Sequence, residues 1–366
     1  MVNPFQVTKP VDPAEVIDRE TEDAKLRALA EEANNARLVA PRRYGKTSLL
    51  RRAQARLADD DWTTVYVDLL GIVTMDDFAA RIDRAYTSQL KGPVAKWFIA
   101  LRRTLKPTLT VGGGPVPASG SVDLSGQAKE ALTERLDLPA KVAERTGKRV
   151  HVVYDEFQEL DALEDNTDAV VRSVIQHHGD SASYVFAGSH VRMMEMMFTD
   201  RRRAFYGQTQ RVALNPLDPI ALGDYVSQRF EQTGKEVAPA ALDGLLGLVD
   251  GHPQRAMVVA HALWDATANV ADLLEWDTAR IAVMDSVDDE LKSVWLDLAV
   301  PERQVLTTLA HGKAPYHRGG GGQRGGGVQR ALDSLEKRGT LAQSDSKWRV
   351  VDPLFAEWVR SQRDAS

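Results

Sequence analysis

Residues 36–50 read ARLVAPRRYGKTSLL, and three local signals follow one another within them. ARLVA (36–40) is a short apolar run, PRRYGKT (41–47) is polar and broken by proline and glycine, and LLRRAQARLA (49–58) sets its apolar residues at helical spacing. Strand, loop and helix are expected in that order. From Ala40 to Thr47 the chain matches G-x-x-x-x-G-K-[ST] at every fixed position but the first, where alanine stands. Such a loop turns its backbone N–H groups, with those of the following helix, into one concavity where polyphosphate oxygens replace water. Gly45 keeps the backbone bare, Lys46 can reach the β and γ phosphates, and the Thr47 hydroxyl can ligate Mg2+. A Gly-Lys-Thr triplet alone recurs by chance at helix starts. Its place between an apolar strand and a helix gives it weight.

A second element lies about 110 residues further on. VHVVYDE (150–156) is an apolar strand ending in two adjacent carboxylates. Asp155 would hold the Mg2+ shell, and Glu156 would orient and deprotonate an attacking water; the alternative is an acidic pair merely solvated at a strand end. SYVFAGS (183–189) is a further strand, and Ser189 or His190 after it could hydrogen-bond a γ-phosphate or the water, although Ser189 could equally cap a helix. With TVYVDL (64–69) and RVALNP (211–216), these runs alternate with helix-like stretches. That alternation implies a parallel sheet covered on both faces, a three-layer α/β/α fold.

The 366 residues, at roughly 100 to 200 per domain, suggest two or three units. We place an N-terminal strap with the P-loop core at 1–215, a helical unit at 216–290 and a C-terminal unit at 291–366. The strap holds three prolines in its first 13 residues. LTVGGGPVPASGSVDL (109–124) reads as an exposed hairpin or ordered insertion. After Pro216 the strand pattern gives way to helices, and from about Leu291 the order is helix, helix and a two-stranded wing around SDS (344–346). A formal net charge of −6 advertises neither nucleic acid nor an acidic membrane globally. Residues 301–366, however, hold eleven Lys and Arg against seven Asp and Glu. The absence of cysteine excludes disulfide scaffolds, thiolate zinc sites and cysteine nucleophiles. No apolar run approaches a membrane span and MVNPFQVTKPVDP carries no signal pattern, so a cytoplasmic location without membrane contact is expected.

Together, NPF (3–5), IDRE (17–20), PRRYGKTSLL (41–50), VVYDEFQEL (152–160), FAGSH (186–190), FYGQ (205–208) and GHP (251–253) resemble the archaeal-type ATPases, a branch of the AAA+ and STAND group of P-loop proteins. The resemblance spans nearly the whole chain. It implies an AAA+-like core with strand order 5-1-4-3-2, a helical lid and a C-terminal winged helix, with ATP or ADP and Mg2+ as ligands. Carried over by residue, Arg42, Arg43, Tyr44, Gly45, Lys46, Thr47 and Ser48 would bind nucleotide, Thr47 and Asp155 the metal, and Glu156, Lys46 and Ser189 would serve catalysis, Ser189 as the sensor. Gly251, His252 and Pro253 resemble the lid motif that packs on adenine, with Ile17 and Arg19 on its other side. Arg255 is a candidate for the γ-phosphate, against the plainer expectation of a surface arginine. Three departures stand out: Ala40 and Asp18 replace glycines, and Gln208 stands where the family often has an arginine.

In the C-terminal unit, Gln329, Arg330, Lys337 and Arg338 decorate VQRALDSLEKRG (328–339), whose buried stripe would be Val328, Ala331, Leu332 and Leu335. Lys347 and Arg349 sit on the wing. These side chains suit duplex DNA, whereas a winged helix can equally contact protein. Against a DNA reader, Gly319–Gly322 and Gly325–Gly327 fall where the preceding helix should lie, each costing about 1 kcal/mol of helix stability. Met193, Met194, Met196 and Met197 read as core packing of a short helix rather than a partner interface, Arg201–Arg203 as a solvated run rather than a trans-acting arginine cluster, and the adjacent His177 and His178 as no zinc site. The expectation is an Mg2+-dependent ATPase coupling nucleotide state to a DNA or protein partner. The alternative is a nucleotide-gated DNA-binding regulator or binding protein with negligible turnover. Homo-oligomerisation stays open.

Overall fold

Five short segments pair into the central sheet: β1 (Ala36–Val39), β2 (Thr63–Asp68), β3 (Val150–Asp155), β4 (Ala182–Gly188) and β5 (Gln210–Ala213). The computed structural model describes residues 2–105, 124–163, 166–315, 323–344 and 347–364. Every pairing in this sheet is parallel and the order is β2-β3-β4-β1-β5, the order that the family resemblance implies. β3 and β4 are buried at every residue, which explains why they read as unbroken apolar runs rather than as alternating ones. The pairings Asp68 with Asp155 and Val39 with Gly188 align the carboxyl ends of the strands along one edge.

The chain divides into two units. A sheet unit comprises Arg19–Ala40 and Lys46–Leu214. Its helix Met75–Gln89 shows how the local code works: Thr74 caps it by accepting from the Asp77 N–H, and Phe78, Ala79, Ile82, Ala85 and Tyr86 repeat at helical spacing to bury one face. On the sheet, Phe157, Phe186, Phe198 and Phe205 form an aromatic cluster, with Phe157 4.5 Å from Phe186 and edge-on to Phe205. Each such burial stabilises the fold by roughly 1.5–3 kcal/mol. Met194 and Met197 are buried in the same core, as expected for packing residues, while Met196 is exposed.

The helical unit comprises Met1–Asp18, Pro41–Gly45 and Asn215–Ser366. Its helices Pro219–Gln232, Pro239–Val249, Pro253–Ala266 and Leu273–Leu296 start on capped or proline-marked ends. Helices Val300–Ala310 and Gln323–Lys337, the antiparallel strands Leu341–Ser344 and Lys347–Val350, and a closing helix Pro353–Asp364 follow. That last helix did not stand out in the sequence. One continuous hydrophobic cluster joins these elements and includes Phe5 of the strap, which packs against Tyr225 and Phe230. Ala331, Leu332 and Leu335 form the expected buried stripe, with Val328 packed against it.

The glycine expectation is corrected in part. Gly325–Gly327 lie within the helix Gln323–Lys337 itself, not in the preceding one. The preceding helix ends at Ala310, where Gly312 takes φ +70° and stops it. Gly319–Gly322, the wing tip at Asp345 and Ser346, and the hairpin or insertion expected over 109–124 lie outside the described residues, save that residue 124 opens the helix Leu124–Leu136. Among the described residues no helix is long and apolar enough to cross a membrane.

Candidate functional site

The carboxyl edge of a parallel sheet is where open α/β folds place their ligands, and the candidate residues of the sheet unit gather there. β1 ends at Val39, and the helix Lys46–Asp59 begins six residues beyond Ala40. Between them Arg43 (φ +66°) and Gly45 (φ +85°) are left-handed. A Cβ on Gly45 would meet nothing within 4 Å, so the glycine answers a backbone angle and not crowding. Lys46, 6% exposed, donates from Nζ to the Ala40 carbonyl at 3.1 Å. The first N–H groups of its helix lack intrahelical acceptors by geometry.

Around Lys46 the sheet unit assembles a cluster of hydroxyls and carboxylates. The Tyr66 hydroxyl donates to Asp155 Oδ2 and also hydrogen-bonds with Thr47. Burial pushes the Asp155 carboxyl upward, opposed by the Tyr66 bond and the Lys46 charge and reinforced by neighbouring Glu156. Burial, and then the Asp155 charge, drive the Tyr66 phenol up as well. Glu156 behaves oppositely. Burial would raise it, yet hydrogen bonds from Ser189 and Gln158, with the Lys46 charge, hold it below the ordinary glutamate value. Its Oε2 accepts from Ser189 Oγ at 2.6 Å, from Ser189 N at 3.2 Å and from Gln158 Nε2 at 2.5 Å.

The structure thus brings Lys46, Thr47, Asp155, Glu156 and Ser189 together. Of the two roles open to Ser189, helix capping is not the one used: His190 caps the helix Val191–Thr199 by accepting from the Met193 N–H. Ser48 is buried at the head of its helix and Arg42 is exposed. Tyr66 and Gln158 were missed. No spacing rule links residue 66 to residue 155; only the pairing of β2 with β3 makes them neighbours. Gln158 lies two residues beyond Glu156, and a polar amide inside FQEL was its only signal.

Within the helical unit, other candidates meet. Arg43 pairs with Glu290 at 2.9 Å, and Arg349 on the wing donates to the Tyr44 hydroxyl at 2.9 Å. The Tyr44 ring meets His252 edge-on at 5.0 Å. His252 caps the helix Pro253–Ala266 through the Arg255 N–H, Pro253 opens that helix, and burial pushes the imidazole down to about 4. Gly251 is left-handed, and a Cβ there would lie 2.6 Å from the Leu217 carbonyl, so no other residue fits. Arg255 corrects the surface-arginine expectation. It is 2% exposed, its Nε lies 3.0 Å from both Asp352 oxygens, a second nitrogen also bonds Asp352, and Glu290 stands at 3.7 Å. Ile17 packs against the core of the helical unit. Arg19, in the sheet unit, is buried and pairs with Glu22 at 3.6 Å.

Four of the arginines near Gln208 are engaged, while Arg201 is exposed. Arg172 donates to Gln208, Arg203 pairs with Asp161 and Asp168, Arg202 with Asp200 and Arg211 with Glu195. No group of three or more His, Asp or Glu suited to an all-protein metal cage occurs among the described residues. Mg2+ does not ask for one, since it keeps most of its water and takes one or two hard oxygen ligands. Asp155 and Thr47 fit that demand, because burial opposes the Asp155 charge and a cation would offset that penalty.

No family model matches the sequence, and no curated protein matches it. Solved structures are similar in fold. A Walker-type ATPase of Pyrococcus abyssi shares 17% identity at a TM-score of 0.70, over 97% of this chain and 99% of that one. The ORC2 protein of Aeropyrum pernix, in ADPNP–ADP complexes, shares 16% identity at 0.59, over 99% and 98%. The ORC1 protein of the same organism, in complex with DNA, shares 16% at 0.50, over 97% and 94%. The fold is accordingly that of the P-loop α/β/α proteins of AAA+ type.

Proposed function

We propose that this chain is an ATP-binding, Mg2+-dependent ATPase. The observation that carries the reading is Glu156: a carboxylate at the sheet's carboxyl edge, held charged by Ser189 and Gln158 and set beside the buried pair Lys46 and Asp155. Lys46 and the N–H groups at the head of its helix receive the β and γ phosphates, with Arg42 to Gly45 and Ser48 flanking them. Asp155 and Thr47 hold Mg2+, which when bound neutralises charge on the phosphate oxygens. Glu156 orients a water and takes its proton as the water oxygen bonds to the γ-phosphorus and the bond to the bridging oxygen breaks, leaving ADP and phosphate. Ser189 holds Glu156 in place. The reading is tested by fluorescent-nucleotide titration and phosphate release. Lys46→Ala should lose nucleotide affinity, whereas Glu156→Gln should bind Mg·ATP and release no phosphate. Unchanged affinity in the first, or wild-type turnover in the second, would overturn it.

We also propose a coupling from nucleotide to partner through the helical unit, with a lid over 216–290 and a winged helix over 291–366. Support comes from Arg43 and Tyr44, which bond Glu290 and Arg349; a ligand that reorders Pro41–Gly45 must reorder those bonds too. For the partner, duplex DNA is favoured by the exposed Gln329, Arg330, Lys337, Arg338 and Lys347 and by the DNA complex of the ORC1 protein. Arg349, bonded to Tyr44, and Arg338, 3.8 Å from Glu302, are already engaged. A DNA-binding regulator with negligible turnover is the rival reading, and the phosphate-release assay separates the two.

A further inference from the structure

Glu156 leaves β3 in the left-handed conformation, φ +54°, and the chain turns at once into the 3-10 helix Phe157–Ala162. That turn carries Gln158 back beside the carboxylate, where its Nε2 bonds Oε2, the oxygen that also receives both donors of Ser189. Three donors converge on one oxygen, and Oε1 carries none of these bonds. Gln158 is only 5% exposed, and its own Oε1 is buried without a hydrogen-bond partner. An apolar side chain of similar volume would avoid an unpaired buried oxygen, so packing does not explain an amide here. The bond to Glu156 does.

Gly188 makes the room. Its φ is not left-handed, but a Cβ on it would run into Gln158 Oε1 and lie 2.6 Å from Met194 Sδ. The end of β4 is therefore shaped to admit the amide between Ser189 and the 3-10 turn.

We propose that Gln158 is a positioning residue for hydrolysis: with Ser189 it anchors Glu156 by Oε2, so that Oε1 is the oxygen presented to the attacking water, and Gly188 is the space that permits this. An unanchored carboxylate exchanges its two oxygens and swings about its side-chain torsions, and small misplacements at a reacting centre can lower rates by up to about a hundredfold. The inference rests on the ATPase reading above.

The test uses the full chain with Mg·ATP. Gln158→Met keeps the volume and removes the donor; Gly188→Ala keeps the glutamine and removes its room. Each should lower kcat by about ten- to a hundredfold while KM and fluorescent-nucleotide affinity stay within about twofold of wild type, the pattern of an interaction that acts on the chemical step. Should Gly188→Ala fail to fold because of Met194, Gln158→Met alone decides. Wild-type kcat in Gln158→Met overturns the proposal, as does a parallel loss of kcat and nucleotide affinity, which would mark a structural role. Failure of the underlying reading shows elsewhere: a wild-type protein that binds nucleotide and releases no phosphate removes the ATPase assignment, and this proposal with it, before any variant is made.

Discussion

Replacing Asp352 by alanine should destabilise the helical unit by about 3–5 kcal/mol, the range for removing one partner of a buried ion pair. Arg255 is 2% exposed, and Asp352 supplies its bidentate acceptor. After the substitution the nearest carboxylate is Glu290, 3.7 Å away, half exposed and bonded to Arg43 at 2.9 Å. That leaves a guanidinium buried with a distant, shared and screened counter-charge. Asp352 also accepts from the Leu354 N–H at the head of the helix Pro353–Asp364, so the alanine variant loses about a further 1 kcal/mol of capping. Asp352→Asn keeps an acceptor and should be milder by roughly that amount. In the double variant Arg255→Met, Asp352→Ala no charge is orphaned, and most of the loss should return. Tryptophan fluorescence in urea reads this directly, because five of the seven tryptophans, at positions 264, 276, 295, 348 and 358, lie in the helical unit. With a slope of about 2–3 kcal/mol/M, the combined loss of about 4–6 kcal/mol should lower the midpoint by about 1.3–3 M in the single variant. A single-variant cost under about 1 kcal/mol, the level of an exposed pair, or a double variant as unstable as the single, would refute the argument.

Two further outcomes are expected. His151 is fully buried on β3, its Nδ1 2.9 Å from Ser183 Oγ, and burial lowers its pKa to about 4. The unfolded chain protonates it near 6.5, so no penalty exists above that pH, and stability falls as pH drops from about 6.5 toward about 4, by at most about 1.4 kcal/mol per unit. Urea midpoints at neutral and mildly acid pH should diverge more in the wild type than in His151→Gln; equal divergence would sink the assignment. If the C-terminal helix and wing meet DNA phosphates, binding should weaken with salt at a log–log slope of about −0.9 per contact, and replacing Arg330 and Lys347 together should flatten it by about two contacts. Absence of duplex binding at low salt, with and without ATP, would assign that face to a protein partner.

The phosphate loop and the Asp155–Glu156 strand were legible because their chemistry is local. Gly45, Lys46 and Thr47 are adjacent, and an unbroken apolar run announces a strand buried on both faces. Their assembly was not legible from the same signals. The strand order came from family likeness, since periodicity carries no information about which strands pair. Tyr66 looks like any β-favouring aromatic until β2 is set beside β3. Arg255 looks like a surface arginine until Asp352, 97 residues away, is folded against it. Gln158 was closest to being readable, as an amide two residues beyond Glu156, but its partner depends on how the chain bends at a left-handed Glu156.

The strap raises a matter of timing. Asn3 donates to the carbonyl of His261, a separation of 258 residues, and Phe5 finds its seat against Tyr225 and Phe230. On a ribosome adding about 5–20 residues per second, the first segment waits about 13–50 seconds after its own synthesis before its binding surface exists. Throughout that interval an aromatic side chain that ends 1% exposed lacks its native partners. Pro4, Pro10 and Pro13 bracket it, and proline withholds the N–H that an adventitious sheet partner would need. The composition that makes the strap look featureless leaves it poorly suited to pair with the sheet unit's strands, which emerge while it waits.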